Sequence, residues 1–279
     1  MAEWPKWKSC LRIKGMMSLP LLAVLTVFQG QALQLDYPDE PDLREVVVSW
    51  NDRNIPFVRD NDRWITVIGI DLDTEVGEYR AETTFRFAGG SHETRAETIE
   101  VKGKTFPTTR LTVAPKYVEL SPEDRARAAA DSKEIRAVYA QLTPRKYWAG
   151  PFRSPIPGVT GGRNFGHRRI FNDQPRDPHS GADLRASAGT EILAANTGRV
   201  VLAKDYFFNG NSVFIDHGLG VYTMYLHLSK ISVEVGDVVK RGQVIGLAGA
   251  TGRVTGPHLH WGARILDARV DPFSLFELD

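Results

Sequence analysis

Gly256-Pro257-His258-Leu259-His260-Trp261 alternates polar and apolar side chains, the period of a half-buried strand. In such a strand His258 and His260 project from one face, about 7 Å apart, while Leu259 and Trp261 point the other way into a core. Similar short runs precede it: Thr190-Glu191-Ile192-Leu193-Ala194, Gly198 to Ala203, Ser212 to Asp216 and Val221 to His227. Gly and Pro punctuate them and helix-period patterning is almost absent, so residues 148–279 predict a β domain.

One strand carrying His-x-His can deliver one imidazole to a metal and leave the other beside it. In His179-Ser180-Gly181-Ala182-Asp183 two small residues permit a tight loop that joins a histidine to a carboxylate. Two histidines and one carboxylate form a donor set suited to Zn²⁺, and three protein ligands leave a fourth position open for water. His227 closes the strand Tyr225-Leu226-His227-Leu228; it is either satisfied by a backbone carbonyl at the sheet end or flanks a metal without binding it. His167 and His217 read as structural, the latter in a turn, Asp216-His217-Gly218.

Upstream, Glu45 to Val48, Arg63 to Ile70, Tyr79 to Phe87 and Ala96 to Val101 are β-rich runs separated by Asp60-Asn61-Asp62 and Ala88-Gly89-Gly90-Ser91. They predict a small sandwich-like accessory domain over residues 36–115, with His92 at a solvated loop tip. Ser121-Pro122-Glu123-Asp124 then provides an N-cap, a proline at the first helical position and two acids in the first turn; Pro144 marks the end. Residues 116–147 therefore read as a helical linker, and the whole chain as all-β in class.

With 279 residues, 42% hydrophobic and 25% charged, the chain has ordinary globular composition. Lys plus Arg is 35 against 34 for Asp plus Glu, so no excess positive charge exists to neutralise phosphates and nucleic acid is not an expected partner. Lys6, Lys8, Arg12 and Lys14 precede an apolar run from Met16 to Phe28, and Gly30 and Ala32 are small residues at spacing two. This order is that of a secretory signal over residues 1–32, cleaved after Ala32; the run is too short, and too interrupted by Pro20, for a stable membrane span. The only cysteine, Cys10, lies inside that segment, so the expected mature chain has neither a disulfide nor a thiolate metal ligand.

The segment His179-x-Gly-x-Asp183, the strand Tyr225-Leu226-His227-Leu228-Ser229 and Thr251-Gly-Arg-Val-Thr-Gly-Pro-His258-Leu-His260 together resemble the M23 family of zinc metallopeptidases, the lysostaphin-type endopeptidases. The similarity runs from about Trp148 to Phe276. It implies one zinc ion held by His179, Asp183 and His260, and a catalytic pair, His227 and His258. It implies as substrate the peptide cross-links of bacterial peptidoglycan, and a periplasmic or cell-wall location. Trp148, Phe165 and Phe171 either line a groove for that substrate or pack in the core. Two other readings stand beside this one. A noncatalytic or latent M23-like module would bind cell wall or activate another hydrolase, but here the ligand set is intact. Val235 to Gly246 resembles the hammerhead turn of biotinyl and lipoyl carriers, but the carriers' Met-Lys-Met is missing.

Overall fold

The computed structural model describes residues 24–159 and 164–279. The N-terminal part carries β1 (Val24–Phe28), β2 (Ala32–Pro38), β3 (Leu43–Trp50), β4 (Arg53–Pro56), β5 (Val58–Asp60), β6 (Arg63–Gly69), β7 (Gly77–Phe87), β8 (His92–Lys102) and β9 (Thr108–Leu111). A five-stranded sheet in the order β1-β8-β7-β3-β4 faces a three-stranded one, β2-β6-β5. Val46, Val48, Ile99 and Phe85 from the first sheet meet Leu35, Trp64 and Ile68 from the second in one buried core. His92 is exposed, as expected, but it opens β8 instead of sitting in a loop: the turn closes at Ser91, and His92 pairs with Arg86.

Residues 24–28, which fall in the apolar run of the expected leader, form β1 and pair in parallel with β8. Leu25 and Val27 are buried in the accessory core. Residues 29–31 turn from β1 into β2, whose first residue is Ala32, and residues 1–23 of the expected leader lie outside the described residues. Among the described residues no helix is long and apolar enough to cross a membrane.

Helix α1 (Pro122–Tyr139) starts where Ser121 predicts: its Oγ accepts from the Asp124 N–H at 3.1 Å. Its C-terminal Tyr139 packs edge-on against Tyr222, so this helix is docked on the following sheet through its last turn.

The C-terminal part carries β10 (Arg168–Phe171), β11 (Gln174–Arg176), β12 (Gly181–Arg185), β13 (Glu191–Leu193), β14 (Gly198–Tyr206), β15 (Gly210–Asp216), β16 (Val221–Ile231), β17 (Val238–Val239), β18 (Val244–Ala248), β19 (His258–Ile265) and β20 (Ala268–Val270). The main sheet runs β12-β19-β16-β15-β14-β17, with β13, β18 and β20 paired to its members. β10 joins β11 on one side and, in parallel, β9 on the other, so a strand from before the helix closes this small sheet. The hammerhead-like stretch is no isolated hairpin: β17 pairs with β14, whereas β18 pairs with β13 and β16.

Strand β6 explains how the two parts meet. Trp64 and Ile68 enter the accessory core, while Ile65 and Val67, on the opposite face, enter the core built by Leu184, Tyr225, Leu259 and Trp261. A strand buried on both faces reads as a continuous apolar run, as Trp64 to Ile68 does apart from Thr66.

Candidate metal centre

The centre is assembled around β19. Its alternation turns Leu259 and Trp261 fully into the core and presents His258 and His260 on the other face. On one side β12 pairs antiparallel with Asp183 opposite His260; on the other, β16 places Leu226 opposite His260, so His227 follows at the end of that ladder. Three neighbouring strands thus bring residues separated by up to 77 positions onto one patch. His227 has φ of 65°, a left-handed conformation unusual for a residue with a side chain, and the pairing of β16 with β18 shifts register just beyond it. The bend turns the imidazole toward the histidines of β19: its ring centroid lies 5.0 Å from that of His258 and 6.0 Å from that of His260.

His179 Nε2, Asp183 Oδ1 and His260 Nδ1 form a triangle with sides of 2.8, 2.9 and 3.0 Å. His179 Nδ1 lies 2.8 Å from the Asn164 carbonyl oxygen. A carbonyl only accepts, so Nδ1 carries the hydrogen and Nε2 has a lone pair. That lone pair faces the Asp183 carboxylate oxygen and a second imidazole nitrogen, so three metal-type ligand atoms turn toward one point. Donors about 2.0–2.1 Å from a tetrahedral zinc stand about 3.3 Å from one another, so the triangle is within about half an ångström of what the ion requires. Both histidines are buried, and the set fits a divalent cation of zinc's size and donor preference.

The electrostatics agree. Burial pulls the His179 pKa down to about 4, against the hydrogen bond to Asp183 that favours its charged form. Burial by itself would raise the Asp183 carboxyl, but the hydrogen bonds with His179 and His260 outweigh it and hold this group well below the usual carboxylate range. Near neutrality the centre therefore combines a neutral His179 with an ionised Asp183, the forms that bind metal.

Gly181 has a clear physical reason. A Cβ there would stand 2.6 Å from His260 Nε2 and 2.6 Å from the Trp261 carbonyl oxygen, so only glycine lets β12 approach the ligand strand this closely.

Sequence reasoning assigned no role to Asn164 or Arg169, and both organise the centre. Asn164 donates from Nδ2 to Asp183 Oδ2 at 2.8 Å and accepts from the Asp183 N–H at 2.9 Å, besides orienting His179. Arg169 donates to the same Oδ2 at 2.9 Å. With Oδ2 saturated in this way, Oδ1 is the oxygen left for the ion. These contacts span 14 to 19 residues across a loop, where no periodic pattern marks them. The aromatics resolve to packing: Trp148 and Phe171 are buried, and Phe165 packs edge-on against Phe106. His167 meets the Thr109 hydroxyl at 2.8 Å, and His217 is buried between the Thr197 carbonyl and the Thr223 hydroxyl.

His227 Nδ1 donates to the Thr251 carbonyl at 2.9 Å, and His258 Nδ1 to the Gly256 carbonyl at 2.8 Å. Both rings therefore turn a bare Nε2 toward the centre; that of His258 lies 3.6 Å from Asp183 Oδ1.

Comparison with known proteins places this geometry in context. Residues 177–272 match the family model Peptidase family M23. The peptidoglycan DD-endopeptidases ShyA and ShyB of Vibrio cholerae serotype O1 are 48% identical over 99 residues and 44% identical over 94. Those matches cover 35% and 34% of this chain but only 23% and 22% of the relatives, so the chain aligns with under a quarter of their length. A crystal structure from Pseudomonas aeruginosa, described as a peptidase M23, is 32% identical and superposes with a TM-score of 0.68 over 90% of this chain and 96% of that one.

Proposed function

Because the chain belongs to peptidase family M23, we propose that it is an exported, zinc-dependent endopeptidase that hydrolyses the peptide cross-links of bacterial peptidoglycan. The observation that carries this reading is the convergence of His179 Nε2, Asp183 Oδ1 and His260 Nδ1 within 3.0 Å of one another, beside the paired rings of His227 and His258. The names of ShyA and ShyB, peptidoglycan DD-endopeptidases, support the substrate class and with it a place on the wall side of the membrane. The basic-then-apolar order of residues 1–32 supports export. Residues 148–279 are the peptidase domain in this reading, with 36–115 an accessory domain and 116–147 the connection.

Held by His179, Asp183 and His260, a zinc ion would supply Lewis-acid polarisation of a carbonyl and a water of lowered pKa. His258 is the general base: its side chain is 20% exposed, its Nε2 is unprotonated, and it stands beside the metal ligands. His227 is a poor proton acceptor, because burial and the neighbouring His260 and His258 pull its pKa to about 3. His227 hydrogen-bonds the carbonyl oxygen once its Nε2 takes up a proton from solvent water, an uptake that the negative charge developing on that oxygen favours against the burial penalty. Arg169 and Asn164 hold Asp183 throughout.

The test is digestion of purified cross-linked peptidoglycan by the zinc-loaded chain, with and without a chelator, followed by mass analysis of the released muropeptides. Loss of cross-linked dimers that the chelator prevents is the expected result. An unchanged profile with zinc bound stoichiometrically would overturn the endopeptidase reading and leave a binding or latent module.

A further inference from the structure

Arg253 lies midway along the loop that links the two paired histidines. At one end of that loop Thr251 holds His227; at the other Gly256 holds His258. The loop is pinned against the turn at residues 207–210. Gly252 and Gly210 both have positive φ, and a Cβ on Gly252 would stand 2.4 Å from the Gly210 nitrogen and 2.6 Å from the Phe208 carbonyl oxygen. The Arg253 N–H donates to that same carbonyl at 2.8 Å.

The side chain is as firmly placed as the backbone. Its guanidinium carbon sits 4.4 Å from the Phe208 ring centroid and 4.9 Å from that of Phe171, held against two rings from separate elements. The Phe171 ring is shared: the Arg169 guanidinium lies 5.8 Å from it and pairs at its other end with Asp183. A continuous path of contacts therefore joins Arg253 to a metal-ligand carboxylate. Arg169 has a carboxylate partner and Arg176 has acceptors in Gln174 Oε1 and the Val118 carbonyl. Among the described residues Arg253 forms neither an ion pair nor a side-chain hydrogen bond to a protein acceptor, although it is partly buried. Burial first, then Arg169 and Arg176, bring its pKa down to about 10; Asp177 and Tyr117 act the other way. A guanidinium so placed retains its charge at neutral pH and has planar N–H donors left to offer.

We propose that Arg253 is a specificity-determining residue that binds a free carboxylate of the substrate peptide next to the scissile bond. The inference rests on the endopeptidase reading and deepens it. A cross-link made through the side-chain amine of a diamino dicarboxylic acid leaves the carboxylate on that same carbon next to the bond, and a planar guanidinium recognises a carboxylate through two parallel hydrogen bonds. Amidation of that carboxylate removes the charge and one acceptor, so the enzyme distinguishes wall peptides bearing the acid from those bearing the amide.

The experiment measures kcat/KM of the zinc-loaded full chain on a D-alanyl–diaminopimelate cross-linked peptide dimer and on the same dimer with its diaminopimelate carboxylates converted to carboxamides. Calorimetry of the corresponding uncross-linked stem peptides, acid and amide, gives binding apart from turnover. The wild-type chain is expected to favour the acid by about tenfold or more in both measurements. Arg253→Gln brings both ratios close to one, and Arg253→Lys restores part of them. A merely structural lesion lowers both substrates together and leaves the ratio unchanged, so Arg253→Gln with an undiminished ratio overturns the proposal, as does a wild-type ratio near one. Preferential binding of the acid stem through Arg253, with neither dimer cleaved, would instead overturn the endopeptidase reading and leave the carboxylate site standing.

Discussion

The His227 ring and the Thr251 backbone are joined by a hydrogen bond of 2.9 Å, in which Nδ1 donates to the carbonyl oxygen. Thr251 in turn donates through its hydroxyl to the Leu228 carbonyl and accepts from the Asn211 N–H, so the residue that fixes the imidazole is itself fixed to the two strands beside it. Five residues on, the Gly256 carbonyl does the same for His258. A single loop thus sets which nitrogen of each ring is bare.

This division of labour separates two kinds of variant. His179→Ala, Asp183→Ala and His260→Ala are expected to lose zinc. His258→Ala and His227→Ala are expected to keep it stoichiometrically while turnover falls about 10²- to 10⁴-fold. Metal analysis of the purified chains alongside initial rates checks both; full zinc retention in a member of the first group removes that residue from the ligand set.

Arg169 acts on the metal through the carboxylate it saturates. Arg169→Leu removes one of the two side-chain donors on Asp183 Oδ2, leaving Asn164, and is expected to weaken zinc binding by roughly 10- to 100-fold without removing a ligand. Competition against a chromophoric chelator measures this. An unchanged zinc Kd would show that Asn164 alone holds Asp183.

Gly181→Ala is the smallest change expected to damage the centre. The added methyl meets His260 Nε2, a ligand ring, and the Trp261 carbonyl oxygen, neither of which is the free end of a flexible chain. At least a tenfold loss of zinc affinity is expected, together with a fall in the urea midpoint because β12 is pushed off β19. Wild-type values for both would mean that the strands separate at no cost.

His217 supplies a pH dependence away from the metal. Burial lowers its pKa from 6.5 to about 4. The unfolded chain therefore takes up this proton at a higher pH than the native one does, so the stabilisation is complete above about pH 6.5 and is lost as pH falls toward 4. Between pH 7 and 4.5 the zinc-free wild-type chain is expected to lose about 2 kcal/mol more than His217→Gln, as read from urea unfolding at the two pH values. Parallel losses in both chains would exclude His217 as the source.

The sequence revealed those parts of the structure that depend on short-range pattern. The alternation in His258-Leu259-His260-Trp261 predicts both the strand and its two faces, and Ser121-Pro122 predicts a helix start. The five residues His179, Asp183, His227, His258 and His260 are named by local motifs, and the structure brings their side chains together. The roles of Asn164 and Arg169 were not legible, because they depend on how a loop folds back over β12. Nor was the left-handed backbone of His227, which is imposed by a register shift between strands and has no glycine to announce it. The run Arg63 to Ile70 predicts one strand of a sandwich; the second buried face of Trp64 to Ile68 depends on what packs behind it, which no local pattern shows.

That second face bears on how an enzyme of this design could be restrained. A lid that blocks a catalytic centre must be able to lift, and so must leave behind a surface that tolerates water. Ile65 and Val67 are fully buried against the same core that supports Leu259 and Trp261, directly behind the ligand strand. Lifting β6 would strip the backing from β19 and release the histidines it aims. The region before the helix is therefore a foundation for the metal centre, tied to it by apolar side chains that have no watery alternative.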